Sequence, residues 1–300
     1  MRITRRALVI GSGSALSGCL SRAPRSNVDF VQAYSPTLQR TLFQRELPFL
    51  ALYRDKGRIL GFAAVVHSSD PGSETFKLIT DAFAVVQPKS VILEGFPTAW
   101  GSNPKKIVEK VERPPSGSYD LGEDMHAARL AVQSGADIWG GEPTTSELAA
   151  HLSTLGFTRE DVFFASMFGP LAQDLEAKVF SGPSDPSFDS AYRRWAIVDA
   201  PQYGLAAAPE PNAFKEWFRR KYGRPMEADA EWHTRGGPGQ AGRAGEIGRA
   251  ANLQRDRHLF ELAIRLAGGR GPLLIVYGGS HLASLWRALE ASLGTSAIRG

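Results

Sequence analysis

Apolar and polar positions alternate so as to divide the chain into short strands and crossover helices. Ile59 to Val66 (ILGFAAVV) is continuously apolar, the pattern of a strand covered on both faces, and it ends at His67. After the turn-forming Ser-Ser-Asp-Pro-Gly, residues 74–86 place Phe76, Ile79, Phe83 and Val86 at helical spacing, and Gln87-Pro88 stops that helix. Val91-Ile92-Leu93 reads as a second strand closing in Glu94-Gly95. Two strands joined by one crossover helix run parallel, so His67 and Glu94 are predicted on the same rim of a sheet.

The pattern continues in the same way. Residues 96–119 are a Pro/Gly/Ser-rich loop with a short helix near 104–111, and Asp124 to Ser134 is helical and closed by Gly135. Ala136 to Trp139 is a third strand ending in Gly140-Gly141-Glu142, which adds a second carboxylate to the rim. Ser146 to Leu155 is a helix, and Thr158-x-x-Asp161 has the form of a capping box opening another. From Phe180 to Gly248 the periodicity weakens. Helices near 187–195 and 212–222 are followed by a glycine-rich stretch at 235–248, which predicts a flexible insertion near 225–248, either a lid or a solvated connector. Ile247 to Leu266 is a long helix, Leu273 to Tyr277 a fourth strand ending in Gly278-Gly279-Ser280-His281, and Leu282 to Leu293 a last helix. No internal repeat interrupts this order. The fold class predicted is α/β, a mixed, mainly parallel β-sheet flanked by helices in a single domain over residues 45–300.

The N-terminus is patterned differently. MRITRRALVIGSGSALSGC has a positive start, an apolar stretch and small residues before Cys19, the layout of a secretory signal over residues 1–18. Leu16-Ser17-Gly18-Cys19 resembles the bacterial lipobox, in which the cysteine is acylated, and it accounts for the single cysteine of the chain. Arg5-Arg6 also fits a twin-arginine signal as well as an ordinary one. Residues 19–44 then form a lipid-anchored tether. The expected location is the cell envelope, on the periplasmic side or at the outer membrane, which Leu20 favours over the inner-membrane aspartate. Arg2, Arg5 and Arg6 carry three of the four net positive charges, so the remainder is nearly neutral and nucleic-acid binding has no support. With 43% hydrophobic and 22% charged residues the chain is globular, and one cysteine rules out a disulfide scaffold. A homodimer is left open.

Four predicted strands thus end in His67, Glu94, Glu142 and His281, at the edge of an open α/β sheet where ligands bind. Two imidazoles and a carboxylate are a common ligand set for a catalytic divalent ion (Mn, Co, Zn or Fe), here His67, Glu94 and His281, with a second carboxylate to serve as general base. The glycines of Gly278-Gly279-Ser280-His281 let the backbone approach a ligand. Tyr277 is either a core tyrosine or an iron ligand in a haem-binding protein. His126, His151 and His258 fall within helices as surface or interfacial residues, and His233 lies by the insertion. Neither a GxSxG elbow nor a P-loop is present.

The His-bearing first strand, the Val91-Ile92-Leu93-Glu94-Gly95 strand, Arg255-Asp256-Arg257 in the long helix and the Gly278-x-x-His281 close together resemble the TraB/GumN–Tiki superfamily, whose wider circle includes erythromycin esterases and ChaN haem-binding lipoproteins. The resemblance spans residues 55–295 and implies an EreA/ChaN-like α/β sandwich and a hydrolase of peptide or small ester substrates, metal-dependent in one branch. It assigns His281 to the second GxxH histidine, Glu94 to the family glutamate, and Arg255 or Arg257 to the family arginine. Ala64 stands where the first motif has glycine, and Asp256 where the family has asparagine. A non-enzymatic haem- or metal-binding lipoprotein and a peptide-sequestering protein are the alternatives it leaves.

Overall fold

Strand β5 (Leu273–Gly278) is buried at every position and forms the centre of the molecule, and the rest of the sheet is built outward from it. A computed structural model describes residues 27–43, 45–112, 122–269 and 271–299, so the signal, Cys19 and the tether as far as residue 26 lie outside the described residues, whereas the rest of the expected tether is not a free linker, since Val31 and Phe43 are buried in the core. The chain enters through α1 (Pro36–Leu42) and a hairpin of β1 (Phe49–Asp55) and β2 (Arg58–Val65), then follows α2 (Glu74–Val86), β3 (Ser90–Pro97), α3 (Lys105–Glu112), α4 (Glu123–Ser134) and β4 (Asp137–Glu142). A helical stretch comes next: α5 (Thr145–Thr154), α6 (Arg159–Ser166), α7 (Phe168–Glu176), α8 (Pro186–Asp199) and α9 (Pro211–Tyr222). Then α10 (Arg243–Ala267) leads into β5, α11 (Gly279–Leu293) and β6 (Ala297–Arg299).

The six strands lie in the order β4-β3-β5-β2-β1-β6. β4, β3, β5 and β2 are mutually parallel, while β1 runs antiparallel to both its neighbours. This is the mixed, mainly parallel α/β sheet that the pattern predicts, in one compact domain. Alternate residues feed two cores. Phe62, Ile92, Ile275 and Tyr277 face α10 and α11, while Val65, Leu93, Leu274 and Val276 face α2 and α4.

β1 was not predicted, although Lys56 and Gly57, both at positive φ, form the two-residue turn that right-twisted hairpins favour. The stretch after β4 needs a larger correction. It is a helical layer with its own aromatic core, in which Phe164, Phe168, Phe214, Trp217 and Trp232 are buried together. The segment 225–248 is therefore not a loose insertion. Asp229, almost fully buried, binds Arg224 at 2.9 Å and Arg235 at 3.0 Å, Arg249 donates to the Gln240 carbonyl at 2.7 Å, and Arg243 to Glu246 already form the first turn of α10. Thr158 caps α6 by accepting from the Asp161 N–H at 3.0 Å, but the Asp161 carboxylate turns away to Trp217, Lys221 and Arg243.

One close approach fixes how β4 and β5 meet. A Cβ on Gly141 would overlap the hydroxyl of the buried Tyr277 and crowd Ile92. Gly141→Ala is accordingly expected to cost about 2 kcal/mol, measured by urea denaturation, and Tyr277→Phe in the same chain to recover part of it.

Candidate active site

Parallel strands deliver their C-terminal ends to one rim, and crossover helices begin there, so acids in a helix's first turn share that rim with strand-end residues. Glu94 lies where β3 leaves its register with β4, followed by Gly95 at φ +81°. Its Oε2 accepts from the Gly278 N–H at 2.7 Å, while Oε1 faces the Arg255 guanidinium at 3.2 Å and His281 Nε2 at 3.3 Å. Burial would raise the pKa of Glu94, yet His281 first, then Arg255 and the Gly278 N–H, hold it well below the usual carboxylate range.

Glu142, at the end of β4, takes the other side of Arg255. Arg255 Nε and NH2 each lie 2.6 Å from a Glu142 oxygen, a bidentate fork, and the Tyr277 hydroxyl donates to Glu142 at 3.1 Å. Against the effect of burial, this cation lowers Glu142. Of the two arginines the sequence offered, Arg255 reaches the rim. Arg257 does not join it, and its Nε is buried without a hydrogen-bond partner.

His281 is not at the strand end, as the pattern predicts, but in the first turn of α11, which begins at Gly279, with a side chain only 5% exposed. Its Nδ1 lies 2.5 Å from Asp256, one residue past Arg255 on α10 and 1% exposed. Burial alone would depress the imidazole, but Asp256, by charge and hydrogen bond, and then Glu94 carry it up to about 9. His281 is thus an imidazolium clamped between two carboxylates.

His67 is the opposite case. It follows β2 with its side chain 66% exposed, Nδ1 2.5 Å from Glu123 and Nε2 4.0 Å from Glu94 Oε2. Glu123, in the first turn of α4, also accepts from the Ser68 N–H at 3.1 Å, so the carboxylate anchors both ring and backbone. The hydrogen bond to Glu123 raises His67 above its ordinary value, while burial opposes it. Glu123 and Asp256 were not singled out as site residues from sequence. Glu123 had a signal in its place as the first-turn acid of a helix leading into β4.

A Cβ on Gly278 would stand 3.3 Å from His67 Nε2 and 3.5 Å from Glu94, so glycine there leaves room for both side chains at the rim. Gly279 serves packing instead, filled against Leu47, and Ser280 is half-buried in the first helical turn. Tyr277 is 1% exposed with its hydroxyl on Glu142, so it does not fit an axial haem ligand. The remaining histidines stand apart: His126 stacks on Phe76, His258 bonds Thr98 at 2.8 Å, and His233 adjoins Trp232 in the helical layer.

His67, Glu94 and His281 do converge, yet they do not fit a resident divalent ion in this arrangement. The Glu94 oxygens are already taken by a backbone N–H, a guanidinium and an imidazolium. An ion on Oε1 would meet Arg255, whose NH2 is 3.2 Å away. Among the described residues no group of three His, Cys, Asp or Glu side chains is disposed to hold a metal.

No family model, curated protein or solved structure matches the chain.

Proposed function

We propose that the chain is a hydrolase of peptide or small ester bonds whose water is activated by His67, in keeping with its resemblance to the TraB/GumN–Tiki superfamily. The observation that carries this reading is the open imidazole of His67, fixed at Nδ1 by Glu123 at 2.5 Å and set across from an anionic Glu94. With Nδ1–H donating its hydrogen bond to Glu123, the Nε2 lone pair is free for a water, the orientation a general base needs. At 4.0 Å the His67 and Glu94 atoms are too far apart to bond each other and close enough for one water to touch both.

When that water attacks an acyl carbon, His67 takes its proton and later gives it to the leaving nitrogen or oxygen. The N-terminal end of α11 begins at the same rim, and its partial positive charge favours the developing oxyanion. Arg255 and His281 keep Glu94 ionised and fixed. An exported, lipid-anchored protein acylated at Cys19, held in the cell envelope with its domain outside the cytoplasm, completes the proposal.

The test uses the full chain with p-nitrophenyl esters and a fluorogenic peptide panel. One class is expected to be turned over, with kcat about 100-fold lower in His67→Ala and unchanged by chelators. The rate should rise with pH through the titration of His67, since the neutral imidazole is the base. Absence of turnover in both classes, or equal rates in the variant, sinks the hydrolase reading. Loss of activity on chelation would restore the metal-dependent one, and a Soret band on haem addition the haem-binding one.

A further inference from the structure

The chain joins its domain at the end of the sheet opposite the rim. Asn27 Nδ2 donates to Ser292 Oγ at 3.0 Å near the end of α11, and the Gln32 N–H donates to the Ser284 carbonyl at 3.0 Å, nearer that helix's start. Because α11 begins at the rim, with His281 in its first turn, and ends at the base with Leu293, the chain climbs from base to rim. Eleven residues of helix put Asn27 roughly 17 Å below His281. Cys19 precedes Asn27 by eight residues, so an acyl group on it would hold the base within roughly 29 Å of a bilayer. Such a length also lets the tether double back along the domain, and the distribution of charge selects between the two orientations.

Three levels follow one another along α10. Its C-terminal half, with Leu259, Ala263 and Ala267, packs in the sheet core, Arg255 and Asp256 stand at the rim, and its N-terminal half, with Ala244 and Ile247, packs in the helical layer beyond. Charge is divided in the same way. Residues 144–246, which form the helical layer, hold fourteen Asp and Glu against eleven Lys and Arg, whereas residues 19–143 and 247–300 hold seventeen against twenty-one. The direction of the helices sharpens the division, since helix dipoles favour acids in first turns and cations in last turns. Glu74, Glu123 and Glu147 open α2, α4 and α5 at the rim, and Arg265 lies in the last turn of α10 at the base. Arg54 and Lys56 in the β1–β2 hairpin and Lys89 before β3 are exposed at the base as well, and Arg22 and Arg25 belong to the tether. Of the acids at this end, Asp55 is bound by Arg58, Asp137 accepts from Asn103 at 2.8 Å, and Glu290 is half-buried.

We propose that the base of the sheet rests on an anionic lipid surface, so that the rim and the helical layer face away from the bilayer and the site takes its substrate from the aqueous space. The docking rests on the acylation of Cys19, and only the statement about substrate rests on the hydrolase reading. Cations at the base and in the tether are drawn to anionic headgroups within about a Debye length, and the inverted domain would set its acidic layer against like charge.

The test uses the lipidated chain in phosphatidylglycerol vesicles whose headgroups carry an energy-transfer acceptor. A donor dye is placed on Thr295→Cys, just past α11, or on Ala241→Cys, just before α10, both exposed positions. Cys19 is the single native cysteine and its sulfur is acylated, so each chain takes one dye. Position 295 is expected to transfer at least about twofold more strongly than position 241, since the roughly 37 Å length of α10 separates the two levels. The difference should shrink in about 1 M salt, where the Debye length is about 3 Å, and in the chain carrying Arg54→Glu and Lys89→Glu. Equal transfer, or stronger transfer from position 241, in a chain whose mass includes the acyl groups overturns the orientation. An unacylated chain that stays off the vesicles removes the anchor and the proposal with it. A difference that neither salt nor the two substitutions reduce overturns the attraction to anionic lipid. None of these readouts depends on turnover, so a failure of the hydrolase reading is told apart from a failure of this one.

Discussion

Arg255→Met is expected to lower stability by about 4 kcal/mol at pH 7, read from the urea midpoint of the full chain. The guanidinium is three-quarters buried and is the cation common to Glu94 and Glu142, whose side chains are 18% and 12% exposed. Methionine keeps much of the stem's packing but leaves Glu142 with only the Tyr277 hydroxyl, and removing one partner of a buried pair is costlier than never having built it. The sign with pH follows. Both carboxylates have folded pKa values below their unfolded ones, so their contribution is present above about pH 4.3 and is lost as pH falls through the lowered values. Without Arg255, burial raises Glu142, whereas Glu94 is still held low by His281 and the Gly278 N–H, so Glu142 protonates more readily in the variant and the variant regains stability on acidification while the parent does not. The gap between the two proteins should therefore narrow from pH 7 to pH 4, and Glu142→Gln in the Arg255→Met chain should restore part of the loss. A gap that does not change with pH would show that Arg255 acts through packing and not through charge.

How much of this was legible depends on the range over which the physics acts. β2, α2, β3, β4 and β5 were readable because a buried parallel strand must be apolar throughout and a crossover helix must carry a 3.6-residue stripe. His67, Glu94, Glu142 and His281 followed from that alone, since parallel strands put their ends on one rim. The helical layer was obscured because its aromatic core is assembled from short helices broken by Pro-rich turns, each too brief to display a period. Phe164 and Trp217, for example, meet only after the chain has reversed several times. The partner of each histidine was hidden for a related reason. Glu123 lies 56 residues from His67, and Asp256 25 residues from His281, so nothing local pairs either acid with its histidine. A strand pattern also says nothing of charge state. The sequence offers two imidazoles and a glutamate, a metal-like set, and the fold adds Asp256, which with Glu94 raises His281 against both burial and the nearby Arg255.

That cation should give the protein a loss of stability on the alkaline side. His281 has an unfolded pKa near 6.5 and is carried up to about 9 in the folded state, so its stabilising contribution is full below pH 6.5 and disappears as pH rises through 9. Two and a half pH units correspond to about 3 kcal/mol. Asp256 acts in the same direction. Burial pushes it up and its Oδ2 is buried without a partner, so the pair holds its protons more tightly folded than unfolded. Urea midpoints taken between pH 6 and 9.5 should therefore fall steadily. Asp256→Asn removes the charge that sustains the imidazolium, leaving mainly Glu94 to oppose burial. The variant is expected to start less stable at pH 6 and to lose much less by pH 9.5, with the His281 ring resonances in NMR titrating at lower pH. A wild-type midpoint that is flat across this range would mean that His281 is neutral in the folded protein, and the Glu94 carboxylate would then be held by Arg255 and the Gly278 N–H alone.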